Sequence, residues 1–109
     1  VAENNSKIIG VAILNRHANL RKNHVASITI MVDSNFHSEG VGTLLMQELI
    51  NLSDNILKLK RLELKVFVAN TRAISLYKKF GFIEEGIQKY SAIKNVVYAY
   101  ELMMARIQK

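Results

Sequence analysis

The feature that most constrains the fold of this chain is a change of hydrophobic period near its middle. Over residues 25–33 apolar and polar side chains alternate, as they do on a strand with one buried face. After a polar stretch, apolar residues recur every three or four positions over residues 41–59, and they are Val41, Leu44, Leu45, Leu49, Leu52, Ile56 and Leu57. The pattern predicts a strand, a loop over residues 34–40 and a long helix.

The same reasoning predicts the other elements. Alternating or β-branched stretches predict strands over residues 7–15, 61–68, 82–86, 89–93 and 97–107, the last two joined as a hairpin near Lys94 and Asn95. A short helix follows the strand 61–68, with Asn70 or Thr71 as its cap and Gly81 as its stop. Mixed elements without proline, linker or repeat predict one α/β domain, residues 1–109, on a single sheet.

Composition excludes several classes of protein. With 109 residues, half of them apolar, the chain can fold as a globular domain. It has no cysteine, which excludes disulfides, thiolate metal sites and a cysteine nucleophile and fits a reducing cytosol, so we expect a cytoplasmic protein. No apolar run approaches the roughly 20 residues that span a membrane, so no membrane association is expected.

The charge pattern bears on partners. The net charge is +6, but the basic residues are scattered and are not interleaved with aromatic residues on one predicted sheet face, so we expect no nucleic-acid partner. A phosphate-rich small molecule could recruit a few of them. His17, His24 and His37 lack the spacing of metal ligands, so no metal is expected.

Two glycines lie where the long helix should begin. Gly40 and Gly42 would let a phosphate approach the unpaired N–H groups of the first helical turn. Two glycines can equally ease a tight turn. Neither a Rossmann nor a Walker pattern is present, because Thr43, Leu44 and Leu45 follow Gly42.

A second informative segment is residues 70–82, NTRAISLYKKFGF. It places an Asn at the end of a strand, then an amphipathic helix, then Gly-Phe. Taken singly, Asn70 can be a helix cap and Tyr77 a core aromatic residue whose hydroxyl reaches solvent.

Together the two segments resemble the GNAT superfamily of N-acetyltransferases. The superfamily signature Q/R-x-x-G-x-G/A corresponds to residues 37–42, HSEGVG, and the segment N-x-x-A-x-x-L-Y-x-K-x-G-F is matched at every fixed position of residues 70–82. The closing hairpin looks like that of bacterial members that acetylate free amino acids or similar small amines. Two positions depart from the pattern: His37 replaces Gln or Arg, and Tyr100, beside Glu101, stands where amino-acid-acetylating members tend to carry Asp.

The resemblance implies an α/β (α+β) GNAT fold, a mixed and mostly antiparallel sheet flanked by helices, with acetyl-CoA as cosubstrate. It implies that the backbone of Met31 and Val32 pairs with the pantetheine arm and that Asn70 hydrogen-bonds that arm. Arg72 and Lys79 would lie near the adenosine phosphates. The cofactor-binding residues implied by the family are Met31, Val32, His37, Ser38, Glu39, Gly40, Val41, Gly42, Thr43, Asn70, Arg72, Ala73, Tyr77 and Lys79.

The catalytic residue implied by the family is Tyr77, as the acid that protonates the departing thiolate. A general base is not assigned. Some relatives use a Glu on the strand before the loop, where this chain offers Ser27, Thr29 and Asp33, so Glu101 or a water relay are the alternatives.

The expected activity is acetyl transfer from acetyl-CoA to a primary amine of a small molecule such as an amino acid. Two alternatives stay open: acetylation of a protein N-terminus or lysine, and a non-catalytic module that binds CoA or nucleic acid.

The family's first strand and the two helices that follow it have no counterpart in these residues, so the domain is expected to be truncated at its N-terminus. The strand over residues 7–15 should then be unpaired along one side. We therefore expect the 109 residues to form a homodimer, to aggregate, or to carry a further N-terminal segment.

Overall fold

The computed structural model describes residues 1–4, 7–17, 20–33 and 40–108. In these ranges a 3-10 turn, Leu20–Lys22, lies between the second and third strands, and a π-helical segment follows the first helix. The elements are β1 (Ala2–Asn4), β2 (Lys7–Arg16), β3 (Val25–Val32), α1 (Val41–Asn51), the π segment (Leu52–Leu57), β4 (Arg61–Phe67), α2 (Thr71–Lys79), β5 (Ile83–Lys94) and β6 (Val97–Ile107). The predicted loop over residues 34–40 lies, except for Gly40, outside the described residues.

The strands form one sheet in the order β1-β2-β3-β4-β6-β5. Every neighbouring pair is antiparallel except β3 and β4, which are parallel. The predicted α/β fold, a mixed and mostly antiparallel sheet with flanking helices, is thus confirmed.

The core lies between the helices and one face of the sheet. Alternate residues of the central strands, among them Leu62 and Leu64 of β4 and Met104 of β6, are buried together with Met46 of α1 and Tyr77 of α2. The other face of β4 carries Arg61, Glu63 and Lys65, as the period of two requires. In the described ranges no helix is long and apolar enough to cross a membrane.

The long predicted helix ends in a wider turn. α1 continues without a break into the π segment and stops at Lys58, which has a left-handed φ of 54°. Arg106 of β6 donates two hydrogen bonds to Asp54 of this segment, at 2.9 and 2.8 Å, and a third to the carbonyl oxygen of Phe80 at 3.1 Å. The pair therefore ties the end of the long helix to the end of α2 and to the sheet.

The prediction that residues 7–15 would be unpaired along one side is wrong for part of that strand. β1 pairs antiparallel with β2, with Ala2 opposite Gly10 and Asn4 opposite Lys7. β1 has only three residues, and a strand this short shows no hydrophobic pattern in the sequence.

The strands predicted over residues 82–86 and 89–93 are one strand, β5. Its register against β6 shifts between Glu84 and Gly86 and again between Gln88 and Ala92. Each bulge interrupts the alternation of side chains while the backbone pairing resumes beyond it, so the sequence pattern suggested two strands.

The predicted hairpin between β5 and β6 is confirmed, with its turn at Asn95 and Val96. Both have positive φ, 53° and 60°, as a two-residue type I′ turn requires. Val96 is a β-branched residue in this conformation and is 98% exposed, so the turn carries strain without burial to offset it.

Candidate active site

The site is organised by a gap in the middle of the sheet. β3 and β4 are paired only from Val25 opposite Arg61 to Ser27 opposite Glu63. Beyond these positions β3 continues beside β2, while β4 continues beside β6 as far as Phe67. The two parallel strands therefore diverge, and a cavity opens on each side of the gap.

The first cavity, on the helix side, has a volume of about 420 Å³. It is formed by the end of β3, the first turn of α1 and one face of α2. It is lined by Ile30, Val32, Gly40, Gly42, Thr43, Asn70, Arg72, Ala73, Ser75, Leu76, Tyr77 and Lys79.

The start of α1 can receive an anion. Gly40, the N-cap residue, has a left-handed φ of 75° and offers no side chain to cap the first N–H groups. A Cβ on Gly42 would lie 3.2 Å from Cδ2 of Leu76, so glycine is what allows α1 and α2 to approach. The helix end, its dipole and the absence of a capping side chain all suit a phosphate.

The charge of the helix-side cavity also suits an anion. Arg72 and Lys79 of α2 line it and are exposed. Among the described residues that line it, none is acidic. A polyphosphate ligand would therefore meet cations and helix N–H groups without an opposing carboxylate.

Asn70 has two roles available to it. Its Oδ1 accepts a hydrogen bond of 3.2 Å from the backbone N–H of Ala73, so the cap expected from the sequence is present. The Nδ2 group makes no hydrogen bond to a described residue, and Asn70 lines the cavity. It can donate to a ligand while Oδ1 keeps the helix capped.

Tyr77 lies at the inner wall of the helix-side cavity. It is 9% exposed, and its ring centroid lies 5.9 Å from that of Phe82. Burial raises the pKa of the Tyr77 hydroxyl above its ordinary value of 10, because the phenolate would lose hydration. The hydroxyl therefore stays protonated at neutral pH and can act as a proton donor.

The second cavity, on the sheet side, has a volume of about 480 Å³. It includes Ser27 and Thr29 of β3 and the charged residues of β4, β5 and β6 that face away from the helices. It also includes Ile28 and Leu64, whose side chains belong to the core on the helix side. This cavity therefore extends into the gap between β3 and β4, towards the first cavity.

An ion-pair network forms part of its wall. Arg61 donates to Glu63 at 3.0 Å and, with both terminal nitrogens, to Glu85. His17 lies 3.4 Å from Glu63. Arg61 lowers the pKa of Glu85, and Glu85, ahead of Glu63, raises the pKa of Arg61.

The residues predicted to bind the cofactor fall into three groups. The structure brings Val32, Gly40, Gly42, Thr43, Asn70, Arg72, Ala73, Tyr77 and Lys79 to the helix-side cavity. Met31 and Val41 do not line it with their side chains: Met31 is exposed, and Val41 is buried against Ile9 and Leu45. His37, Ser38 and Glu39 lie outside the described residues.

The sequence analysis missed most of the sheet-side cavity. It did not single out Arg61, Glu63 or Lys65, although their spacing of two on a predicted strand places them on one face. It did not single out Glu85 either, which pairs with Arg61. Within the described residues, no group of three His, Cys, Asp or Glu side chains could hold a metal ion.

Known proteins resemble this chain in sequence. Residues 1–82 match the acetyltransferase (GNAT) family. An L-amino acid N-acetyltransferase of Escherichia coli is 41% identical over 101 residues, 93% of this chain and 62% of that protein. An N-alpha-acetyltransferase of Sulfolobus acidocaldarius is 38% identical over 71 residues, 65% of this chain and 41% of that protein.

The fold has close counterparts as well. A GNAT-family acetyltransferase from Streptococcus pneumoniae superposes with a TM-score of 0.91 at 28% identity, covering 97% of this chain and 64% of that one. The chain thus spans less than two thirds of the length of each of these three relatives. The family match extends over most of the chain and includes both segments that form the helix-side cavity. The chain therefore belongs to the acetyltransferase (GNAT) family.

Proposed function

We propose that this protein transfers the acetyl group of acetyl-CoA to the primary amine of a small molecule, an amino acid or a similar compound. The observation that carries the proposal is the gap between β3 and β4. It has a cation-lined cavity with a protonated tyrosine on one side and a cavity with carboxylates on the other. Donor and acceptor could meet there from opposite faces of the sheet.

The helix-side cavity fits acetyl-CoA. Backbone N–H groups at the start of α1, from Gly42 and Thr43, would bind the pyrophosphate, and Arg72 with Lys79 would neutralise the adenosine phosphates. The Nδ2 group of Asn70 would donate to the pantetheine arm. When bound, acetyl-CoA supplies the acetyl group as a thioester.

Tyr77 would act as the general acid. Attack by a neutral amine on a thioester produces a thiolate leaving group, which departs more readily when it is protonated. The raised pKa of Tyr77 keeps its proton in place at neutral pH, and its burial beside the cavity limits competition from water.

Two acceptor classes remain candidates. The identity to an L-amino acid N-acetyltransferase favours a free amino acid, because that relative matches 93% of this chain. The identity to an N-alpha-acetyltransferase favours a peptide N-terminus, over a shorter stretch. Both acceptors carry an α-amine, and both would use the same donor site.

Replacing Tyr77 with Phe tests the proposal. Tyr77→Phe removes only the hydroxyl, so CoA affinity measured by calorimetry should persist while kcat falls roughly 10²-fold or more. In the parent enzyme, Tyr77 should continue to donate its proton up to alkaline pH, since the pKa of Tyr77 lies above 10.

The assay should follow CoA release with free L-amino acids and, in parallel, with short peptides. CoA binding without acetylation of any amine would identify a non-catalytic CoA-binding module. A Tyr77→Phe rate equal to that of the parent would leave Tyr77 as a core aromatic residue.

A further inference from the structure

The ionisable side chains of the sheet-side cavity divide into two sets. The ion-pair network joins Arg61 to Glu63 and to Glu85, so these three charges are paired within the protein. Lys65 and Glu101 also line the cavity, and neither forms an ion pair or hydrogen bond with any residue in the described part of the chain. The cavity thus holds one cation and one carboxylate that no described residue pairs with.

The register of β4 against β6 fixes how these two groups are arranged. Lys65 is opposite Met103, and Glu101 is opposite Phe67. Since Glu101 is two residues from Met103, it points to the same face as Lys65 and is its diagonal neighbour, at a Cα separation of roughly 7–8 Å. The two groups are on one wall and are not paired with each other.

This arrangement is complementary to an α-amino acid. Such a molecule carries an ammonium and a carboxylate on the same carbon, so a cation and a carboxylate of the protein can each take one end. A peptide N-terminus has the amine but an uncharged amide in place of the carboxylate, so it would leave Lys65 without a partner.

We propose that Lys65 binds the carboxylate of a free amino-acid acceptor and that Glu101 binds its amine and accepts the amine proton. The inference rests on the proposed acetyltransferase function and assigns its acceptor class. Lys65 is exposed, so an acceptor can bind to it and leave from solvent. Glu101 is half-buried, which is compatible with a role in proton transfer.

The chemical step balances with these groups. The amine nitrogen forms a bond to the acetyl carbon while the carbon–sulfur bond of the thioester breaks. The Glu101 carboxylate takes one proton from the ammonium, which leaves the neutral amine that attacks, and the thiolate takes the proton of Tyr77. The second proton that the nitrogen loses as the amide forms passes to the Tyr77 phenolate and restores its hydroxyl, and Glu101 then releases its proton to solvent. No oxidant, reductant or metal is required.

The first experiment compares a free amino acid with its own amide as acceptor, because amidation removes the carboxylate charge and keeps the α-amine. Lys65→Met should raise KM for the amino acid by roughly 10- to 100-fold and leave the KM for the amide unchanged. Lys89→Met, an exposed lysine of β5 that does not line the cavity, serves as the control and should change neither value.

The second experiment tests Glu101. Glu101→Gln should lower kcat roughly 10²-fold with both acceptors, and the rate should recover as pH rises, since a larger share of the amine is then neutral. Glu101→Asp should restore part of the rate. Glu48→Gln, on the exposed surface of α1, is the control.

The outcomes separate this inference from the function on which it rests. If the parent acetylates both acceptors but Lys65→Met affects them equally, with thermal unfolding unchanged, the assignment of Lys65 is wrong and the acetyltransferase function stands. A Glu101→Gln variant with the parent's kcat and pH profile would overturn the assignment of Glu101. A parent that binds CoA but acetylates no amine would overturn both proposals.

Discussion

At the scale of single residues, the site depends on side chains that are small or absent as much as on reactive ones. Gly42 has no side chain at the point where α1 faces Leu76 of α2, and the helix-side cavity opens beside it. Gly40 leaves the first turn of α1 without a side-chain cap. A phosphate can therefore reach N–H groups that a capping side chain would otherwise occupy.

Replacing Gly42 tests this arrangement. Gly42→Val would place methyl groups against Leu76 and into the cavity, because even a Cβ there comes within 3.2 Å. CoA affinity should fall at least roughly tenfold, which calorimetric titration would measure. Gln47→Val, on the exposed face of the same helix, introduces the same side chain away from the cavity and should bind CoA like the parent. Unchanged affinity in a folded Gly42→Val variant would remove the phosphate-binding role of this turn.

At the scale of elements, the β5–β6 hairpin combines a long pairing with local strain. Two bulges interrupt β5, and Tyr90, inside the second bulge, has a φ of 54°. Its ring makes edge contacts with Tyr98 at 5.5 Å and with Tyr100 at 5.3 Å between centroids. These aromatic contacts contribute to stability and offset part of the cost of a left-handed tyrosine.

The turn offers a direct test of this strain. Val96→Gly should raise the free energy of unfolding by roughly 0.5–1 kcal/mol, because glycine adopts the φ of 60° without the steric cost of a β-branched residue, although it gains entropy in the unfolded chain. Thermal unfolding followed by circular dichroism measures the change. Val97→Gly, one residue further and within β6, should lower stability instead. A lower stability for Val96→Gly would show that the turn does not have this conformation in solution.

At the scale of the whole molecule, helices cover one face of the sheet, and no described helix covers the other face. The uncovered face of β4 is charged, and the exposed apolar side chains concentrate on the β5–β6 hairpin, where Ile93, Val97 and Tyr98 are each at least 64% exposed. Beyond Gly10, β2 has no pairing with β1. Both features provide surface that a second chain could cover.

Self-association of these 109 residues is the expected consequence. Light scattering over a concentration series should show a dimer or larger species, and intact mass spectrometry would reveal any additional N-terminal segment. Val97→Thr keeps the β-branched shape while reducing apolar surface, so it should weaken association if the hairpin is the contact. A monomer of the mass of these residues at every concentration would contradict the prediction.

Local pattern in the sequence predicted most of the elements and half of the site. The change of period predicted β3 and α1, and the segment over residues 70–82 predicted α2 with Asn70 as its cap, because caps and periodicity involve neighbours within one or two turns. The glycines and cations of the helix-side cavity lie in these same segments. The family resemblance predicted that both segments bind one cofactor and therefore lie close together.

Only the tertiary structure decided the rest. The pairing of β3 with β4 ends at Ser27, although nothing in either strand marks that position. Beyond it β3 stays paired with β2 and β4 stays paired with β6, so the point of divergence depends on the rest of the sheet. The sheet-side cavity joins residues from β3, β4, β5 and β6 that are far apart in the chain. Which charges cancel and which stay available, Arg61 with Glu85 but not Lys65 with Glu101, depends on strand register, and register is fixed by the packed sheet as a whole.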